Sequence, residues 1–114
     1  GRVLVTSIVG EVTTIIQAQA CNQKLISNPT VGADVDLCAV VDINADAVGT
    51  LYSITGTLAN AMVVTTSGAM KAQADGVVVT AGTIDLSDSA TNTGQIKWTL
   101  HYIPLDAGAT VVSA

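Results

Sequence analysis

Five oxygen-bearing side chains crowd one stretch of this chain: Asp34, Asp36, Asp42, Asn44 and Asp46. Hard cations bind several oxygens at alternating positions of a tight loop, so a calcium-like site is the first chemistry to test. Counted from Asp42, an EF-hand loop would need Gly at its sixth position and a bidentate Glu at its twelfth, where this chain has Ala47 and Ser53. Asn and Asp also make turns by bonding their own backbone, and a structural turn with no metal ligand is the expectation here.

His101 is the only imidazole. Strand alternation sets it beside Lys97 and Thr99 on the polar face of its segment, exposed or facing a partner. Nucleophilic catalysis would need a nucleophile and an orienting group beside it, and there is no Gly-x-Ser-x-Gly elbow to aim a serine. Gly68-Ala69-Met70-Lys71 lacks the spacing of a phosphate-cradling loop. Any two of the nine acids could meet as a glycosidase pair, but a small β domain seldom encloses such a cleft. Cys21 and Cys38 match no zinc or redox spacing; two buried free thiols are expected, with a single bridge as the alternative. Trp98 and Tyr102 could stack on a sugar, yet they share a face with Ile96 and Leu100 and read first as core anchors. The residues thus assign no catalytic, cofactor-binding or metal site, and the chain is expected not to be an enzyme.

The elements that position these side chains follow the pleat of strands. In 114 residues, 49% are apolar by type and only 11% charged, against about 25% in a typical soluble domain. Phe is absent, so the core must be built from Val, Ile, Leu and Ala, with Trp98, Tyr52 and Tyr102 as its large side chains. Four Lys and Arg against nine Asp and Glu cannot supply the basic stripe that nucleic acid requires. No apolar run reaches the roughly 18 to 20 residues of a membrane span, and the start resembles no secretory signal.

Period-two alternation predicts a strand over Glu11–Ala20, with Val12, Thr14, Ile16, Ala18 and Ala20 on one face. Asn22–Ala33, broken by Pro29 and Gly32, predicts loop or sheet edge. Asp34–Ile43 predicts a strand with Val35, Leu37, Ala39, Val41 and Ile43 inward and a wet acidic face. A turn over Asn44–Gly49 then predicts a hairpin to Thr50–Thr55, where Tyr52 and Ile54 share a face. Strand plus loop is expected in Gly56–Ala74 and a strand at Val77–Val79, whose β-branched side chains suit a pleated surface. Thr83–Leu86 continues that strand or starts another. Gln95–Ile103 reads most clearly, with Ile96, Trp98, Leu100 and Tyr102 on one side, and Thr110–Val112 can form a last short strand. About seven or eight strands at this spacing predict one all-β domain over residues 1–114, an antiparallel β-sandwich, jelly roll or barrel. So few charges predict a surface buried against other subunits.

The segments Glu11–Ala20, Asp34–Cys38, Gly49–Gly56 and Gly94–Ala109 give the chain a texture and an ending that resemble the small β-rich capsid decoration, or cement, proteins of tailed bacteriophages. The likeness spans nearly the whole chain. It implies a structural protein on the outside of the virion capsid, binding the major capsid protein and itself as a homo-oligomer, dimer or trimer, with no cofactor, nucleic acid or membrane partner. A phage tail or fibre module, or a small carbohydrate-binding β-sandwich, are the alternatives. The terminal segments, Gly1–Val5 and Thr110–Ala114, are apolar enough to add as strands to a neighbour's open edge.

Overall fold

The computed structural model describes residues 1–113, and among these the chain is all-β, with no helix and two antiparallel sheets. Its first strand, β1 (Val3–Thr14), buries Val3, Val5, Ile8 and Val12. That inward set changes parity between Val5 and Ile8, and the chain absorbs the slip by a bulge that leaves Thr6 unpaired. One extra residue restores the alternation, since a register shift of one would turn every later side chain to the wrong face. This phase change hides the strand from strict period-two alternation, which predicts it over Glu11–Ala20 instead. Of the face expected there, Val12 and Ile16 are buried, whereas Ala18 and Ala20 lie exposed beyond the strand.

Asn22–Pro29 is not a loop or edge. It forms β2, the central strand of the second sheet. Its inward residues are Gln23 and Leu25, so a buried amide conceals half of the pattern, and Pro29 stands at the strand's last position where a missing N–H costs least. The expected long strand over Asp34–Ile43 splits into β3 (Val35–Asp36) and β4 (Val41–Asp42), both paired with β2. Between them Leu37 and Cys38 both turn inward. β5 (Leu51–Ser53) buries Tyr52, followed by Ile54, but it pairs with β1. The predicted hairpin across Asn44–Gly49 is therefore a crossing from one sheet to the other.

β6 (Val63–Thr65) pairs with β5, and β7 (Val77–Val79) pairs with the start of β1. The chain changes sheet again before β8 (Gly82–Asp88), which pairs with β2 along seven residues. β9 (Gln95–Pro104) returns to β1 along its full length. Thr110–Val112 forms no strand, and Gly1–Val5, far from being a free edge, leads into the middle of the first sheet. Among the described residues nine strands stand against the expected total of about seven or eight, because the Asp34–Ile43 segment divides and β2 joins while Thr110–Val112 drops out.

The two sheets share one apolar core. Ile8, Val12 and Tyr52 from the first meet Leu25, Leu37 and Cys38 from the second side, while Val3, Val5, Val79 and Ala109 form a smaller cluster at one end. Along one side the sheets are stitched together by main chain: Ala39 N–H donates to Asn60 O at 2.8 Å and Met62 N–H to Ala39 O at 3.0 Å. On the opposite side, among the described residues, no backbone hydrogen bond joins β8 to β9. The barrel option therefore fails there: the wall has a gap.

Candidate functional site

Three of the five oxygen-bearing side chains, Asp36, Asp42 and Asp46, are spent on backbone and neighbours, and among the described residues no hydrogen bond of the Asp34 or Asn44 side chain is found. Asp42 Oδ1 accepts the N–H of Cys21 at 3.1 Å and of Asn44 at 3.0 Å. Asp46 accepts the Tyr52 hydroxyl, which pins the sheet-crossing turn to the core. Burial, with that bond to a carboxylate, pushes the Tyr52 phenol far above its ordinary value. Asp36 pairs with Lys24 at 3.0 Å. Among the described residues no three His, Cys, Asp or Glu side chains lie together in a metal-binding group.

His101 lies exposed on the outer face of β9, and no hydrogen bond or ion pair of its imidazole is found among the described residues. Its backbone carbonyl accepts the Thr6 hydroxyl at 3.2 Å. Both cysteines are buried and free. Cys21 Sγ donates to Ala90 O at 3.4 Å, Cys38 Sγ accepts the Leu25 N–H at 3.5 Å, and burial pushes the Cys38 thiol up. Trp98 packs its six-membered ring against Gly10 and lies 6.3 Å from the Tyr52 ring at 28°. Tyr102 belongs to the other, smaller cluster. The two aromatics that could have made one sugar platform are thus divided between separate parts of the interior.

The feature that sequence reasoning missed is the gap itself. Between β8 and β9 a groove runs into the core, with a wide part of about 600 Å³ and a narrower part of about 330 Å³, and Leu86 and Trp98 line both. Ile84, Leu100 and Val111 line the wide part. Here the inward residues of β9 are only half-buried, and Leu86 is 41% exposed, while Tyr52 and Ile54 on the stitched side are sealed. The narrow part ends on Gln23, Cys21, Asp88 and Asn92. Gln23 is fully buried, with its amide nitrogen on Met62 Sδ at 3.3 Å and its Oε1 lacking any donor. Burial raises the Asp88 carboxyl, partly offset by the Cys21 thiol. Asn92 ties the loop between β8 and β9 down by donating to Gln17 O at 3.3 Å and Gln19 O at 2.8 Å.

A second apolar surface lies on the outer face of the first sheet, where Val78, Leu4 and Ile103 stand in one row across β7, β1 and β9. Val78 is 56% and Ile103 52% exposed. Alternation in each strand shows this row only as unremarkable polar-face positions occupied by apolar residues; the pairing register is what joins them. No protein-family model matches the chain, and no curated protein and no solved structure matches it either.

Proposed function

We propose that this chain is a non-enzymatic structural protein of a bacteriophage virion, a β-sandwich of decoration or cement type that binds the outside of the head and bridges neighbouring major capsid subunits. The observation that carries the reading is the character of the surface. Among the described residues it leaves twelve large apolar side chains exposed, from Ile15 to Val112, on a chain with only four Lys and Arg. Scattered apolar residues are ordinary on any surface, but contiguous ones such as the Val78, Leu4 and Ile103 row and the open groove mark contact surfaces. Interface cores are depleted in charge, as this surface is. The likeness in sequence texture to cement proteins supports a phage virion among possible assemblies.

The chemistry of such a role asks for no reactive group. A protein that binds only the assembled shell stabilises it by mass action, and repeated symmetric contacts raise the effective concentration of each further one. Separation of Trp98 from Tyr102 weighs against the carbohydrate-binding alternative. The test is cosedimentation of the purified protein with expanded heads stripped of surface proteins, followed by their thermal rupture. Saturable binding and a higher rupture temperature are expected; protein that stays in the supernatant at every concentration defeats the reading.

A further inference from the structure

We propose that a second copy of this chain closes the groove, with β9 of one protomer pairing antiparallel to β9 of its partner about a two-fold axis. The proposal deepens, and rests on, the reading of the chain as an assembly subunit.

The direction of the free backbone groups follows from the register. Val12 N–H donates to Thr50 O and Val12 O accepts from Gly49 N, each at 2.9 Å. In an antiparallel ladder the N–H and C=O of one residue point the same way and alternate along the strand. Gly10 and Ile8 therefore face β5 as Val12 does, and Val9 and Glu11 face β9. Val9 stands opposite Thr99 and Glu11 opposite Lys97, so Thr99 and Lys97 bond β1. Ile96, Trp98 and Leu100 are left directing their N–H and C=O into the open edge, where no backbone partner meets them among the described residues.

Proteins usually blunt such an edge with a bulge, an inward charge or a proline. From Gln95 to Ile103 β9 carries none of these, and of the lysines that also guard edges it has only Lys97. Both irregularities in its ladder place the extra residue on β1, at Thr6 and Thr13, and Pro104 comes only at the end. Ten residues at about 3.4 Å each give an edge of ~34 Å, and two sheets ~10 Å apart with a strand's width on either side give a face ~20 Å thick. The product, ~700 Å², is close to the ~800 Å² per partner of a standard stable interface. Charge permits self-contact: Lys97 is the only formal charge on β9, and any register not centred on it keeps the two ammonium groups from facing each other. A two-fold contact needs such a self-complementary surface, which the same regular strand supplies to itself.

The test reads hydrogen exchange amide by amide alongside sedimentation. At high protein concentration a dimer, or an oligomer built from dimers, is expected, with the amides of Ile96, Trp98 and Leu100 protected. Dilution should remove that protection while Thr99, bonded to β1, keeps its own. Leu86→Lys places a charge on the covered surface at a position that is part-exposed in the single chain. It should give a monomer with an unchanged circular dichroism spectrum and unprotected edge amides. If that variant fails to fold, the wild-type dilution series decides by itself. An oligomer whose three edge amides exchange freely overturns this pairing and leaves the assembly reading standing. A chain that is monomeric throughout yet binds heads also overturns it, and a monomer that ignores heads defeats both.

Discussion

Gly10 sits where any side chain would strike Trp98. A Cβ there would lie 2.7 Å from Cζ3 and 2.9 Å from Cε3 and Cη2 of the indole, closer than real Cβ atoms approach. Gly10→Ala must therefore push the ring, whose neighbour Tyr52 is fully buried, so the ring can yield only toward the groove. Overpacking of this kind costs ~1–3 kcal/mol. Replacing Gly within a strand returns ~0.5–1 kcal/mol by reducing the freedom of the unfolded chain, so the net loss lies at ~0–2.5 kcal/mol and centres near ~1 kcal/mol. For a domain of this size that is a fall of about 4–8 °C in Tm. The assay is urea and thermal unfolding at one fixed protein concentration, followed by the emission of Trp98, the only indole. The native emission should shift to the red as the ring moves toward solvent. In a Trp98→Leu background the same Gly10→Ala change should cost nothing, giving a coupling of at least ~1 kcal/mol in the double-mutant cycle. Equal effects in both backgrounds, or an unshifted spectrum with unchanged stability, would refute the close packing on which the reasoning rests.

Three further outcomes are expected. Burial raises the Asp88 carboxyl, so folding favours its protonated form and stability falls as pH rises from the ordinary carboxylate range through the raised value; Asp88→Asn should raise Tm at pH 7 and leave it unchanged at pH 3. Asp106 is held down to about 2, chiefly by the Arg2 guanidinium, which it meets at 3.0 Å, and by the Arg2 N–H. Its contribution is present above the usual ~4 and disappears as pH falls through the depressed value, so any deficit of Asp106→Asn in acid titration should shrink toward pH ~2. Cys21 and Cys38, each 1% exposed, should be silent to a thiol-disulfide reagent in the native protein and release two equivalents on unfolding; rapid reaction of either thiol in native buffer would contradict their burial.

The all-β class was legible because β-branched residues and alternation dominate, and β9 was legible almost to the residue because nothing interrupts its pattern. β1 and β2 were not. In β1 a bulge at Thr6 changes the parity of the inward set, and in β2 the buried Gln23 stands where a hydrophobe would have shown the period. Pairing was harder still: Asn44–Gly49 has good turn residues, but whether the chain returns to its own sheet or crosses depends on distant contacts such as Ile16 N–H to Asp46 O at 3.0 Å. The turn character of the acidic segment and the burial of the thiols could be read from residue type and spacing. The groove could not, because it is defined by two strands that fail to meet, and no local pattern in either one records that.

The position of β1 also fixes when this molecule can form during synthesis. Its full-length neighbour is β9, with Val3 opposite Pro104, so during synthesis β1 waits for a strand that follows it at long sequence separation. Closing so long a loop is entropically slow, and a bare strand edge in the meantime invites the wrong association. Truncation before Gln95 should therefore yield insoluble product rather than a smaller folded unit.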